Sequence, residues 1–507
     1  MENVFSVLLF EEKGVIMDKD KQGPEIIILG LGPGEPAYLT KRAADVLAAA
    51  EQIYLRTELH PTVSGLPEDL ALYSFDWIYE EEDDFQVVYQ RIAAEVISLA
   101  QTQPPVVYAV PGDPFIAEDT PTLILERARQ AGLSVEVIPG VSFLEPTFAA
   151  LEGDPLPQVT LVDALAVTEA YYPSFPLDQP ALIAQVYSTQ VASDLKLTLM
   201  AVYPDHHPVS LVHEAGTSQL TIENIPLYEL DRSQLIGNRT ALFLPPLAPG
   251  SSLESFLELI AHLRGPDGCP WDREQDHQSL RPNLLEEAYE ALEAIDQDDP
   301  RAMQEEFGDL LLQIVLQTQI ASEYGEFKMS DVIRGIYTKL IHRHPHVFGE
   351  LDLAESDAVI KNWEAIKAQE RQRNGENEKG LLDGVPGTLP ALTQAETYQK
   401  RAARVGFDWE DLEGVLAKIP EEIVEIRKSP DPGRQAEEIG DLLFSVVNVA
   451  RWLEVDAESS LRGANQRFKT RFAYIEKEAR AKGRELSDMT LDELNALWEE
   501  SKNLPPS

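Results

Sequence analysis

The chain has 507 residues, 44% hydrophobic and 25% charged, a balance that excludes a disordered polypeptide and leaves room for about three domains. Its 87 acidic residues against 42 basic ones give a formal charge of −45, which argues against nucleic acid or an anionic membrane as partner, since both are polyanions. A single cysteine, Cys269, excludes an internal disulfide, and no apolar run approaches the ~20 residues of a membrane span, so a cytoplasmic protein is expected.

The first residues, 1–23, read as a flexible leader. Its apolar Val4–Phe10 stretch lacks a basic flank and a small-residue cleavage site, and Met17 is a second candidate start. From residue 24 to residue 250 the texture is α/β. Ile26–Leu29, Gln52–Leu55, Val106–Val110 and Val135–Ile138 are short apolar runs alternating with helical stretches, which predicts a largely parallel sheet covered on both faces. Three of these strands end in Gly/Pro turns, at Gly30–Gly34, Pro111–Pro114 and Pro139–Ser142. Open α/β sheets bind ligands at that carboxyl edge. Gly32 and Gly34 remove side chains so that backbone can approach a ligand, Pro33 fixes the turn, and Asp113 can accept a hydrogen bond from it. The Gly-Leu-Gly-Pro-Gly string lacks the third glycine of a dinucleotide fingerprint, which argues against NAD. A second α/β portion from about Asp154 carries the runs Ala181–Tyr187 and Pro208–Val212.

Pro245, Pro246 and Pro249 mark the passage to a helical half, where apolar residues recur at helical spacing. Its expected parts are a first helical domain (251–375), a linker (376–390) and a second helical domain (391–507). One pattern occurs in both. Glu287 and Glu290 are followed by Glu306 and Asp309, and Glu422 and Glu425 are followed by Glu438 and Asp441. Each pair is spaced i, i+3, so both carboxylates leave one helix face. Two such helices packed together converge four carboxylates, whose repulsion calls for Mg²⁺ or Mn²⁺. The flanking Glu286 and Glu421 sit i−4 from Glu290 and Glu425 and can join either shell.

Further on, Lys339 with Arg343 answers Arg467 with Arg471, each an i, i+4 cationic pair suited to phosphate. The offset between copies shrinks from 135 residues (Glu287 to Glu422) to 132 (Asp309 to Asp441) and 128 (Lys339 to Arg467), as one duplicated unit with altered loops requires. A lone ExxE is ordinarily a solvated helix face; the duplicated ExxE…ExxD with trailing cations favours metal. Salt bridging to surplus acids competes with phosphate contact for the cationic pairs. For Trp271 and Trp409, anchoring in a core is favoured over stacking on a base. His344 and His346, separated by Pro345, read as a structural turn, and Cys269 as packing.

The strings Gly268–Asp272, Leu285–Glu287, Arg343–Phe348 and Val405–Trp409 occur in the order found in MazG nucleotide pyrophosphohydrolases, which the helical half resembles. The first ~250 residues resemble the tetrapyrrole (corrin/porphyrin) methylases through their three turns. The expected fold is therefore an α/β methylase-like domain of two subdomains followed by two all-α MazG-type domains. The MazG resemblance implies Mg²⁺-dependent hydrolysis of nucleoside triphosphates to monophosphate and pyrophosphate, with Glu287, Glu290, Glu422 and Glu425 in the chemistry, and a homodimer. The methylase resemblance implies S-adenosylmethionine in a cleft lined by Gly32, Pro33, Gly34, Pro111, Gly112, Asp113, Ile116, Ser142, Phe143 and Val186. Glu118 and Asp119, departing from the methylase pattern, are expected beside that cleft, where they would repel the carboxylates of a tetrapyrrole. A rival reading makes the chain a methyltransferase whose helical half only assembles it or senses nucleotide.

Overall fold

The computed structural model describes residues 23–82, 84–349, 351, 359, 362–363, 366–367, 370, 380–429 and 431–502. The leader at 1–22, with Met17, and residues 376–379 of the linker lie outside them. The chain divides into two compact units, Met1–Arg273 and Glu274–Ser507.

The first unit holds two five-stranded sheets. Strands β1 (Ile26–Gly30), β2 (Gln52–Leu55), β3 (Ala71–Ser74), β4 (Val106–Val110) and β5 (Val135–Ile138) form a sheet in the order β3-β2-β4-β1-β5, every pair parallel. Central β4 is buried along its whole length, which is why it reads as an unbroken apolar run. Its side chains alternate between two cores. Val106, Tyr108 and Val110 face helices α3 (Phe85–Thr102) and α4 (Thr120–Ala131), whereas Val107 and Ala109 face α1 (Lys41–Ala49). The short α2 (Asp76–Glu81) precedes α3. Each fully buried Val or Ile there contributes roughly 1.5–3 kcal/mol. Thr40 caps α1 by accepting from the Ala43 amide, and Gly132 ends α4 in the left-handed conformation that a side chain would oppose.

After α5 (Leu144–Ala150) the second sheet is built from β6 (Thr160–Asp163), β7 (Ala181–Ala184), β8 (Pro208–His213), β9 (Thr221–Pro226) and β10 (Thr240–Leu244), in the order β6-β7-β10-β8-β9. Only β6 and β7 run parallel; the other pairs are antiparallel. The parallel sheet expected from the first four apolar runs is what the first sheet shows, and the second is mixed. Hairpin-like returns replace crossover helices, leaving α6 (Ala164–Thr168) and α7 (Thr189–Met200) as its long connections. The predicted run to Tyr187 stops at Ala184 because Gln185 takes φ 64°, which breaks the extended backbone. Helices α8 (Leu253–Arg264) and α9 (Pro270–Glu274) follow.

Every regular element among the described residues of the second unit is a helix. In chain order its elements are α10 (Arg281–Asp296), α11 (Pro300–Glu323), α12 (Met329–Arg343), α13 (Pro345–Phe348), α14 (Ala391–Ala403), α15 (Leu412–Lys428), α16 (Pro432–Trp452), α17 (Ala457–Ala481) and α18 (Leu491–Ser501). Two antiparallel hairpins, α10 with α11 and α15 with α16, carry the acidic pairs. The second helix of each opens identically. Asp299 accepts from the Arg301 and Ala302 amides ahead of Pro300, and Asp431 accepts from the Gly433 and Arg434 amides ahead of Pro432. An aspartate cap with proline at the first helical position satisfies amides that have no intrahelical partner.

Candidate metal centres and a glycine-turn cleft

Glu287 and Glu290 leave α10 one turn apart, and Glu306 and Asp309 leave α11 in the same way. Packing of the hairpin brings one carboxylate oxygen each of Glu287, Glu306 and Asp309 within 4.8 Å of one another. The second hairpin repeats the arrangement with Glu422, Glu438 and Asp441. Partial burial, then the charges of Asp309, Glu290 and Glu306, hold the Glu287 carboxyl above its ordinary range. Glu306 is raised in the same sense by partial burial and by Glu290 and Asp309. Glu438 is raised by partial burial, then by Glu425, which also hydrogen-bonds it, and by Asp441 and Glu422. Oxygen donors alone, in mutual repulsion, are the donor set of a hard divalent cation. Glu290 and Glu425 stand outside the two three-oxygen groups but close enough to act on them electrostatically.

The two centres differ in one neighbour. In the second, the Lys418 ammonium lies 3.0 Å from both Glu421 and Glu422. The equivalent position in the first, at the 135-residue offset, is Asn283. Sequence reading did not single out Lys418, although its i−4 spacing from Glu422 was there to be seen.

The cationic pairs separate. Arg343 is engaged by the Glu370 carboxylate through both Nε and Nη2 and lies 5.6 Å from the centre of the Trp363 ring, so salt bridging wins there over phosphate contact. Lys339 lines a groove of about 470 Å³ with Asp331, Arg334, Thr338, His342 and Glu370. Arg471 lies over Trp498, at 5.6 Å, and Arg467 is exposed on α17. Trp271 is 57% exposed and Trp409 44%, which overturns the core-anchor reading. Trp409 instead lies against the opening turn of α15 at Gly414. His344 donates from Nδ1 to the Leu340 carbonyl and precedes Pro345 of α13, the turn expected from Pro345.

In the first unit the three turns meet. Gly32 and Gly112 exchange backbone hydrogen bonds, and a Cβ on Gly30 or Gly140 would strike the Gly112 carbonyl. Thr62 clamps the glycine turn by donating to the carbonyls of Leu31 and Gly34. Pro33 and Gly34 are buried under Gly216 and Thr217 of the second-sheet portion, so these residues position the turn more than they face a ligand. Asp113 accepts from the Phe115 and Gly140 amides and so holds two of the turns together. Ser142 accepts from the Leu144 amide just ahead of α5 and donates to Glu145. Val186 belongs to the core of the second sheet. Pro111, Ile116 and Phe143 are half-buried at the turns, and Gly112, at φ 65°, has open space where a Cβ would project.

Glu118 does not present its charge to the cleft. Its side chain is 3% exposed and lies 3.0 Å from the Arg56 guanidinium, which also donates to the Tyr79 hydroxyl. Burial pushes the Glu118 carboxyl up to about 7 against the pull of Arg56, while Arg56 is held firmly charged. The two partners thus pull in opposite senses. Because a guanidinium does not release its proton, the pair stays an ion pair until Glu118 is protonated.

Residues 25–231 match the tetrapyrrole (corrin/porphyrin) methylases, and residues 275–348 match the MazG nucleotide pyrophosphohydrolase domain. Over 487 residues the chain is 42% identical to the uncharacterized protein YabN of Bacillus subtilis (strain 168), an alignment covering 94% of this chain and 98% of that one. The chain belongs to the YabN family of methylase–MazG fusions. Its YabN-type helical half is 45% identical over 253 residues to the nucleoside triphosphate pyrophosphohydrolase/pyrophosphatase MazG of Thermotoga maritima, covering 50% of this chain and 96% of that protein. It is 40% identical over 258 residues to the nucleoside triphosphate pyrophosphohydrolase of Escherichia coli (strain K12), covering 50% and 97%. No described helix of this YabN-family chain is long and apolar enough to cross a membrane.

Proposed function

We propose that the helical half hydrolyses nucleoside triphosphates between the α- and β-phosphates, releasing monophosphate and pyrophosphate, and that it does so with Mg²⁺ or Mn²⁺. The observation that carries this reading is the pair of three-carboxylate groups, each closed to within 4.8 Å on a helical hairpin. Family membership and the activity named for the MazG relatives support it. Glu287, Glu306 and Asp309 would hold the ion in one centre, and Glu422, Glu438 and Asp441 in the other. A bound divalent ion supplies charge neutralisation, polarisation of phosphoryl oxygens and a water acidified toward neutral pH. Glu290 and Glu425, outside the ligand groups yet beside them, are placed to take the water's proton. Lys339 and Arg467 are the cations proposed to meet the phosphates, and exposed Trp271 and Trp409 to stack on a base.

The α/β half is proposed to bind S-adenosylmethionine at the three turns, with the open backbone at Gly112 as its approach. A homodimer is proposed through the helical unit, where Ile336, Tyr337, Leu340 and Phe468 are exposed apolar side chains. A cytoplasmic setting fits the single cysteine. Purified protein with Mg²⁺ and each nucleoside triphosphate is expected to release pyrophosphate; release of orthophosphate alone refutes the α–β assignment.

A further inference from the structure

The two carboxylate centres are near-copies in their acids and unlike in their charge. On α15, Lys418 stands one turn before Glu422 and places its ammonium 3.0 Å from a Glu422 oxygen and 3.0 Å from a Glu421 oxygen. Glu422 is one of the three residues that close the second centre and is 5% exposed, whereas the Lys418 side chain is 32% exposed, so water screens this contact only in part. On α10 the corresponding residue is Asn283, an uncharged amide, one turn before Glu287.

We infer that Lys418 is a built-in counter-ion that makes the Glu422–Glu438–Asp441 centre the weaker of the two for a bare divalent cation, leaving Glu287–Glu306–Asp309 as the tighter one. The physical reason is competition for the same oxygens. A divalent ion entering the second centre must displace the ammonium from Glu422 or share that carboxylate with it, and at a few ångströms two cations repel. At the corresponding position before the first centre, Asn283 carries no charge to oppose the ion. This makes Lys418 a positioning and selectivity residue of the second copy, and it gives the duplicated centres different cation requirements. The inference rests on the metal-dependent reading above but needs no nucleotide and no turnover.

Titration of the full chain with Mn²⁺ alone, free ion followed by electron paramagnetic resonance, tests it. The wild type is expected to show two classes of site. Glu306→Gln with Asp309→Asn should remove the tighter class, and Glu438→Gln with Asp441→Asn the weaker. Lys418→Asn should tighten the weaker class about tenfold, the order expected for removing one positive charge a few ångströms from a divalent ion at a partly screened site. Lys418→Arg, which keeps the charge, should leave that class weak, an outcome that a purely structural role for the lysine would not produce. Asn283→Lys should weaken the tighter class by a similar factor. Lys418→Gln, a good helix former, repeats the test with α15 least disturbed. The inference is overturned if Lys418→Asn and Lys418→Gln both bind Mn²⁺ as the wild type does, or if the two classes are assigned the other way round. Absence of pyrophosphate release with unequal Mn²⁺ sites would defeat the proposed activity and leave this inference standing.

Discussion

Carboxyl groups crowded without a cation carry their protons to higher pH than usual, and that has a sign. Glu287, Glu306 and Glu438 have folded values raised above the ordinary 4.5. The stability linked to those protons is complete below about 4.5 and is lost as pH rises through the elevated values. A divalent ion takes over the protons' role, so the rise in thermal midpoint on saturating with Mg²⁺ should be larger at about pH 8 than at about pH 5. Equal gains at both would count against a metal role for these acids. In the α/β unit, Arg56→Met strands a buried Glu118 and should cost about 3–5 kcal/mol in urea unfolding well above pH 7, where Glu118 is ionised beside Arg56, more than Glu118→Gln. Since Glu118 titrates at about 7, the Arg56→Met penalty should shrink toward pH 5, where the acid goes neutral. The acids and the turn glycines were legible in the sequence because their spacing is local. The Arg56–Glu118 pair was not, because 62 residues separate its members and only the sheet brings them together.

Element by element, the helices that carry chemistry announce themselves by their caps. Asp299-Pro300 and Asp431-Pro432 open α11 and α16, the helices bearing Glu306, Asp309, Glu438 and Asp441. Removing either cap as Asp299→Ala or Asp431→Ala should cost about 1 kcal/mol, read by chemical denaturation, with faster amide exchange confined to the first turn of the helix affected. A loss below a few tenths would mean the hairpin, rather than the cap, fixes that end. Strand recognition was less even. β1, β2, β4 and β5 are short apolar runs and were found. β3, β6 and β9 lie at sheet edges and have no buried residue, which dilutes the apolar signal.

At the scale of the molecule, duplication raises the question of which copy works. Glu422→Gln with Glu425→Gln, set against Glu287→Gln with Glu290→Gln, should each lower pyrophosphate release in proportion to that copy's share, and only the quadruple variant should abolish it. If either double variant alone abolishes release, a single copy is active. The dimer proposal predicts a mass of two chains in sedimentation and a single chain for Ile336→Glu, which places a charge on an exposed apolar helix face. Calorimetry should register S-adenosylmethionine binding to the α/β half at one per chain; none at millimolar ligand would remove the cofactor proposal.

What the chain determined by itself is the inventory and its periodicity. Two ExxE…ExxD units, a glycine turn and two further Gly/Pro turns, apolar runs of strand length and an acidic excess all depend on residues close in sequence, and helical period alone puts each acid pair on one face. Only the tertiary structure decided which oxygens converge, that Asp113 bridges two of its turns, that Arg343 answers Glu370, and that the Lys418 ammonium reaches Glu422 in one centre. The reason is the range of the forces involved. Spacing along a helix is fixed by backbone geometry, whereas the partner of a charge is fixed by whichever distant segment packing delivers within a few ångströms of it.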